Sequence, residues 1–399
     1  VLLFLAFAFQ SKAQDLLGFA NSNYSGITGS DLQPATIVDS RFRTDFHLLG
    51  FSMNLYNNVI GLKKEALHHN GKISDFSTEN YPAFADTSFQ KHYLDFNSSG
   101  KSKSFYFQSH IYLPSLMMSI NEHNAFALKW KIRTLFNIDG LETPLATILY
   151  NQVKAQDMWN TQWGNKNLSV QMMTWAEYGA TYAHSFKNDG PHFLKFGVTL
   201  KYISGIQAAY LNVRDLQFNF TTDTTMGLFH SDVNYGHSTG FNTKTSSLIY
   251  QKGSSNWGWA IDAGIVYEWR PDYQKFIYEM NGQKGLHKIW ENKYKLRVGL
   301  SMLDLGRVQF NKGEYSHDFT ADISNWNIKH DNFTSITDFD DTLKKKFIMK
   351  NPDQDGTFTM RMPTVLSAQI DYKIWKDFYV NLTPYYAFQF KKADAKVHE

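Results

Sequence analysis

Apolar and polar residues alternate in this chain over stretches longer than a globular strand, and that constrains the fold more than any other feature. Ala125 to Ile138 reads AFALKWKIRTLFNI. Successive strand side chains point to opposite sides. One face therefore carries Phe126, Leu128, Trp130, Ile132, Thr134, Phe136 and Ile138, and the other Ala125, Ala127, Lys129, Lys131, Arg133, Leu135 and Asn137. A strand of a soluble protein usually runs about 5–6 residues, whereas a tilted strand crossing a bilayer needs about 9–11. A long apolar face opposite three cations fits lipid on one side and a wet lumen on the other.

The pattern recurs in Phe42–Tyr56, Ser104–Met118, Val170–Phe186, Phe193–Ile203, Trp257–Trp269, Lys293–Phe310, Thr357–Lys373 and Phe378–Phe390. In Trp257–Trp269 the residues Trp257, Trp259, Ile261, Ala263, Ile265, Tyr267 and Trp269 share one face. Short links at Ser119–Asn124, Lys187–Pro191 and Ile374–Asp377 alternate with long polar ones at Asn57–Lys103, Asp139–Ser169, Ser204–Asn256 and Asn311–Gly356. Short periplasmic turns and long extracellular loops are the habit of outer-membrane barrels. Two loops carry structure of their own: Thr143–Asn151 reads as helix and Leu211–Phe220 as a protruding strand. Arg270–Asn292 falls where a short turn is due and holds a small hairpin or helix. The fold expected is all-β, a transmembrane antiparallel β-barrel. The segments number nine, and an open edge in lipid leaves backbone groups unsatisfied, so at least one further strand is expected after Glu399.

The first residues read VLLFLAFAFQSKAQD. An apolar run from Val1 to Phe9, then Ser11 and Ala13 at the −3 and −1 positions, is the end of a secretory signal cleaved before Gln14. A membrane-crossing helix needs about 20 apolar residues, so the run is not one. With no Met or basic region before Val1, the chain looks truncated at its N-terminus as well. Residues 1–13 are thus assigned to the signal, 14–40 to an N-terminal hatch and 41–399 to the barrel. Mean hydropathy is −0.41 although aromatic residues make up 16%, a combination that suits barrels with aromatic girdles and polar interiors. The absence of cysteine excludes disulfides, thiolate metal sites and a lipid anchor on an N-terminal cysteine. A net charge of +3 with interspersed signs marks no nucleic-acid surface.

Candidate chemistry is sparse. Asn351, Asp353 and Asp355 before Gly356 resemble the front half of a calcium loop. The twelfth position is Met362 rather than the bidentate Glu, and Asn, Asp and Gly are ordinary turn residues, so a plain turn is expected. His68–His69, His110 and His123 read as solvated or lumen-facing. Asp338, Asp340 and Asp341 followed by Lys344, Lys345 and Lys346 read as a solvated face. No nucleophile elbow, phosphate loop, metalloprotease helix or dinucleotide fingerprint is present; no enzyme and no cofactor is expected. Lys129, Lys131 and Arg133 should point into the lumen. Stacked cations there need water or carboxylates, and Asp31 and Asp39 of the hatch and Asp45 of the first strand are expected to meet them. Trp130, Trp257, Trp259 and Trp269 are expected at the lipid interface.

Residues 33–50, QPATIVDSRFRTDFHLLG, resemble the hatch and first strand of FadL/PorV-like outer-membrane proteins, with Gln33-Pro34-Ala35 standing where those have Asn-Pro-Ala. LRVGLSMLDLG (Leu296–Gly306), MPTVLSAQIDYKI (Met362–Ile374) and IDAGIVYEW (Ile261–Trp269) are similar to strands of those barrels. Over Asn21 to Phe390 the chain resembles a Bacteroidota outer-membrane barrel family known as a domain of unknown function, some members continuing into an OmpA-like peptidoglycan-binding domain. The resemblance implies about 14 strands. Two functions follow. The favoured one is a structural or accessory subunit of an outer-membrane machine, or a peptidoglycan-linked anchor. Its neighbours would be outer-membrane lipid, lipopolysaccharide and other outer-membrane or periplasmic proteins, with no nucleic acid. The alternative is a FadL-like channel for hydrophobic or small solutes, marked by a kinked strand; Pro114 interrupts the second segment.

Overall fold

Hydrogen bonds between the alternating segments build one antiparallel sheet of 16 strands. The computed structural model describes residues 17–63, 68–69, 72–73, 92–151, 156–187, 190–241, 255–314, 316–331, 335–350 and 356–388. In chain order the strands of the sheet are β1 (Thr44–His47), β2 (Gly50–Asn57), β3 (Lys103–Tyr112), β4 (Ser115–Ser119), β5 (Asn124–Leu141), β6 (Trp163–Lys187), β7 (His192–Phe220), β8 (Thr225–His237), β9 (Trp257–Trp269) and β10 (Leu296–Asn311). Then come β11 (Phe319–Asn327), β12 (Ile348–Met349), β13 (Thr357–Arg361), β14 (Val365–Trp375), β15 (Phe378–Leu382) and β16 (Tyr385–Ala387). Among the described residues no helix is long and apolar enough to cross a membrane, which says nothing of crossing by strands.

Along the hydrogen bonds the strands form a meander. β1 pairs with β4 and β2 with β3; β3 and β4 both pair with β5; then follow β6, β7, β9, β10, β13 with β14, and β15 with β16. The far half of β7 keeps β6 on one edge and on the other exchanges β9 for β8, which pairs with β11. Strand reaches into two of the long polar connections: β5 and β6 take the two ends of Asp139–Ser169, and β7 and β8 occupy much of Ser204–Asn256, where Leu211–Phe220 was expected as a strand. Helix Thr143–Tyr150 stands where a helix was expected. The link after β9 holds a hairpin of Ile277–Met280 with Gln283–His287.

Four of the segments are broken, one of them at Pro114, where an interruption was expected. Phe42–Tyr56 divides at Leu48–Leu49, Ser104–Met118 at Leu113–Pro114, Thr357–Lys373 at Met362–Thr364 and Phe378–Phe390 at Thr383–Pro384. Proline has no N–H for the ladder, and Pro114, Pro363 and Pro384 sit at three of these breaks. At Pro114 the ladder is repaired by a side chain: Trp130 N–H donates to Ser115 Oγ at 3.1 Å, while Leu113 N–H donates to the Trp130 carbonyl at 2.9 Å. The break in β1/β2 lies across from it, since His47 faces Ser115 and Gly50 faces Tyr112.

The sheet curls strongly. β5 and β10 are four strand steps apart, roughly 19 Å in a flat sheet at about 4.8 Å per step. Yet Arg133 Nη1 on β5 lies 2.6 Å from Asp304 Oδ2 on β10, so the faces carrying them turn toward each other. Burial alternates in the sense opposite to a water-soluble protein: Lys129, Lys131 and Arg133 are 8%, 6% and 2% exposed, whereas Leu128 and Trp130, on either side of Lys129, are 51% and 39% exposed. Ionic side chains line the concave face and apolar ones the convex face.

Candidate functional site

The concave face is layered, and the order can be followed along single strands. Toward the long loops, Leu135 of β5, Met173 and Trp175 of β6 and Ile203 of β7 join Val308, Phe310 and Met360 in an apolar cluster. The ionic layer comes next. Toward the short links, Met117, Ala125, Ala127 and Ala183 pack against Ile27, Ile37 and Val38 of the N-terminal segment.

The segment enters this space as two short 3-10 turns, Gly26–Asp31 and Pro34–Ile37. Ala35, Ile37 and Val38 are fully buried. Gln33 is 2% exposed, and its Nε2 donates to the carbonyls of Ile265 and Leu300 at 3.2 Å each and to Gln369 Oε1 at 3.0 Å. Ser301 Oγ donates to the Leu32 carbonyl at 2.7 Å. The sheet makes room with glycine at three adjacent strands. A Cβ on Gly197 would lie 2.4 Å from the Pro34 carbonyl carbon, one on Gly264 1.7 Å from Gln33 Oε1, and one on Gly299 3.1 Å from Gln33 Nε2. A glutamine at position 33 thus ties three strands to the segment through one amide.

The ionic layer brings four cations and four carboxylates together. Lys129 Nζ lies 2.8 Å and Lys131 Nζ 3.3 Å from Asp31 Oδ1. Lys131 also lies 3.5 Å from Glu177. Arg133 reaches Glu177 at 3.4 Å and Asp304 at 2.6 Å. Lys201 reaches Asp304 at 2.5 Å, Asp262 at 2.8 Å and Glu177 at 3.4 Å. Arg133 also covers the Trp175 ring, 4.8 Å from its centroid, and its Nε donates to His110 Nε2 at 3.2 Å. The layer is formally neutral, as it must be for charges removed from water to be tolerable. Asp304 reaches it through a bulge. Opposite Asp262 the register slips, so that Ile261 faces Leu305 and Ala263 faces Met302. Asp304 takes a left-handed φ of 54°, a conformation aspartate tolerates, and its N–H donates to Asp262 Oδ1 at 2.7 Å. Bulges re-aim side chains in this way.

Of the three carboxylates expected at these cations, only Asp31 is there. Asp39 lies further toward the short links, where it meets Arg270 at 2.6 Å and Lys293 at 2.8 Å. The chain turns away after Pro34–Ile37, and Asp39 stands eight positions beyond Asp31. Asp45 faces the N-terminal segment: its Oδ2 accepts the Ile27 N–H at 2.8 Å, and Gly26 opposite it, at φ 52°, has no space for a Cβ. Burial alone would raise the carboxyls of Asp31 and Asp39, but Lys129 and Lys131 around the first, and Arg270 and Lys293 around the second, hold both well below the usual carboxylate range.

Sequence reasoning missed Glu177, Lys201, Asp262 and Asp304 as members, and Glu268, Arg270 and Lys293 beside Asp39. The signal was present in part. Glu177 and Asp262 fall on the face opposite Tyr178 and Ile261, and Lys201 opposite Tyr202. Asp304 was hidden because the bulge shifts the phase of β10.

The convex face carries the tryptophans. Trp130, Trp257, Trp259 and Trp269 are 39%, 53%, 51% and 37% exposed. Trp130 stacks on Tyr178 with centroids 5.6 Å apart, Tyr178 lies 6.2 Å from Tyr202, and Tyr202 faces Trp259 in register. One aromatic row therefore crosses four strands.

The other candidates disperse. His123 Nδ1 lies 3.1 Å from Ser185 Oγ, on a different row from His110. Among the described residues no group of three or more His, Asp or Glu could hold a metal ion. His68–His69 pairs with Lys72–Ile73 through the backbone, and Asn351, Asp353 and Asp355 lie outside the described residues. The run from Asp338 to Lys346 belongs to a helix, Ile336–Lys346, with a capping box on Ser335 and Asp338. Asp340 on it is buried: its oxygens accept from the Tyr235 hydroxyl at 2.7 Å and lie 2.8 Å from His237 Nε2. Burial alone would lower the His237 pKa, but the hydrogen bonds to Asp340 and the Ser238 carbonyl raise it above the ordinary value.

A family model described as a family of unknown function, DUF5723, matches residues 34–396 of the chain. Neither the curated proteins nor the solved structures hold a match.

Proposed function

The chain belongs to the DUF5723 family, and from that premise we propose that it is an outer-membrane β-barrel of the FadL/PorV type from a Gram-negative bacterium, in the manner of Bacteroidota barrels. Its lumen is occupied by its own N-terminal segment, and it serves as a structural or accessory subunit of an outer-membrane assembly or anchor, without enzymatic activity. The observation that carries the plugged reading is the joint burial of Asp31 against Lys129 and Lys131 and of Gln33 and Pro34 against the glycines of three strands. A segment held by charge and by shape is a fixed filling.

The convex face supports the membrane reading. Leu128, Trp130, Tyr178, Leu200, Tyr202, Trp257, Trp259, Ile265 and Leu300 are exposed on neighbouring strands, a contiguous apolar surface of the kind soluble monomers avoid. Trp259 and Trp269 share this face ten residues apart. At about 3.3 Å per residue and a tilt near 40°, they are roughly 25 Å apart along the membrane normal, the height of the apolar band between girdles in such barrels. The long loops and the β7–β8–β11 extension then lie outside the cell.

The FadL-like channel remains the second reading, and the breaks at Pro114, Pro363 and Pro384 favour it. A partly open cleft lined by Gln108, Tyr112, Leu303, Val365 and Tyr385 reaches down to Asp31, Arg133 and Lys201 of the ionic layer, and a solute path of this kind would run through it. Planar-bilayer recording separates the two. The plugged reading expects no stable large conductance from the intact protein and a conductance after deletion of residues 14–39. Large steady unitary currents from the intact protein would sink it.

A further inference from the structure

The ionic layer is neutral, but a second buried cluster is not. At the short-link end, residues 22–41 roof a small, partly open cavity against the ends of β7, β9 and β10. Its lining carries Arg41, Lys195, Arg270, Lys293 and Arg297 but only two carboxylates, Asp39 and Glu268. Three positive charges are in excess, or two if Asp371 is counted, which stands behind Tyr294 and accepts its hydroxyl at 2.6 Å.

The carboxylates are already committed. Glu268 and Asp39 each lie 2.6 Å from Arg270, Lys293 takes the other oxygen of Asp39 at 2.8 Å, and Lys195 is 3.9 Å from Glu268. Donors are left over. An ammonium has three N–H groups and a guanidinium five. Among the described residues, Lys293 uses one on Asp39, Lys195 gives one to the Val38 carbonyl at 2.9 Å, and Arg297 gives one to Asn23 Oδ1 at 3.3 Å. No carboxylate among them lies within 4.0 Å of Arg297. Lys195 and Lys293 are 4% and 5% exposed, and buried cations in surplus are costly unless an anion or water meets them. The hydroxyls of Ser22, Ser25, Thr36 and Ser40 complete the wall.

We propose that this cavity is a binding site for a phosphate-type oxyanion, held by Lys195, Lys293 and Arg297 and closed over by the N-terminal segment. Lysine and arginine around a concave site are the usual means of holding such a group. The site does not depend on whether the lumen conducts. Occupied, it would fasten the segment to β7 and β10, coupling the ligand to the filling of the interior.

The test is calorimetric titration of the full-length protein in phosphate-free detergent with inorganic phosphate, and in a second arm with a short-chain phosphatidic acid. Saturable phosphate binding at millimolar concentration or below is expected. Arg297→Gln should weaken it about tenfold, the loss of one charge-assisted hydrogen bond. Asp39→Asn, which removes a competing negative charge, should bind equally or more tightly. Among the described residues Arg297 has no ion pair within 4.0 Å to lose, so its variant should keep the parent's circular dichroism and heat-modifiable migration. If phosphatidic acid displaces phosphate the ligand is a lipid headgroup; if phosphate resists displacement it is the free ion. Absence of saturable binding in both arms, or an unchanged affinity in a folded Arg297→Gln protein, would overturn the proposal.

Discussion

Asp31→Asn is the most informative perturbation of the filled interior. The substitution keeps the shape of the side chain and removes its charge. Lys129, at 7% side-chain exposure, has Asp31 at 2.8 Å as its ion-pair partner among the described residues; Lys131 retains Glu177 at 3.5 Å. Breaking a buried pair by removing one partner costs about 3–5 kcal/mol. Asp31 is 19% exposed at its side chain and borders the open cleft, so water partly solvates the stranded ammonium, and about 2–4 kcal/mol is the fair range. That cost falls on docking of the N-terminal segment rather than on the strands, because the ladders around β5 and β6 are untouched. The undocked population should rise roughly 30- to 700-fold. Hydrogen exchange reads this directly: amides of Gly26–Ile37 should exchange faster by that factor while those of β6 keep their protection. Adding Lys129→Met removes the stranded charge and should restore most of the protection. Unchanged exchange in Asp31→Asn, or equal loss across β6, would refute the idea that this pair seats the segment.

Three further outcomes follow from the same geometry. Gly197→Ala and Gly264→Ala should both loosen the segment by about 1–3 kcal/mol, Gly197→Ala more, since its Cβ meets backbone at Pro34 rather than a side-chain end; protease access to residues 20–40 measures this, and no change would mean the close approach is not real. The raised His237 pKa makes the latch to Asp340 pH-dependent. Its stabilisation is fully present below the unfolded value of about 6.5 and is lost as pH rises through the higher folded value, so exchange within Ile336–Lys346, corrected for intrinsic rates, should speed up as pH passes that folded value in the wild type and not in His237→Gln. In lipid vesicles Trp130, Trp257 and Trp259 should be quenched by brominated acyl chains, each tested as the sole altered tryptophan; silence at all three would reverse the face assignment.

Much of the meander was legible because period two is a local property. Lys129, Lys131 and Arg133 could be placed on one face and Trp130 on the other from spacing alone, and the helix Thr143–Tyr150 and the hairpin within Arg270–Asn292 stood in loops already marked as structured. The interruption at Pro114 was marked by its residue type, but the break at Leu48–Leu49 was harder, because a kink in one strand is imposed on its neighbour by pairing, and pairing partners are distant in sequence. The mates of the cations were not legible. Arg133 and Asp304 are 171 residues apart, and they meet because the sheet curls and because a bulge turns Asp304 inward. Asp39 and Asp45 had the right charge and the wrong place, since where a carboxylate arrives depends on the path of the N-terminal segment through the interior. Sequence alone therefore determined which face of each strand is apolar, because alternation is written residue by residue. Only the tertiary structure decided which charge neutralises which, because curvature and register bring together side chains that no local pattern relates.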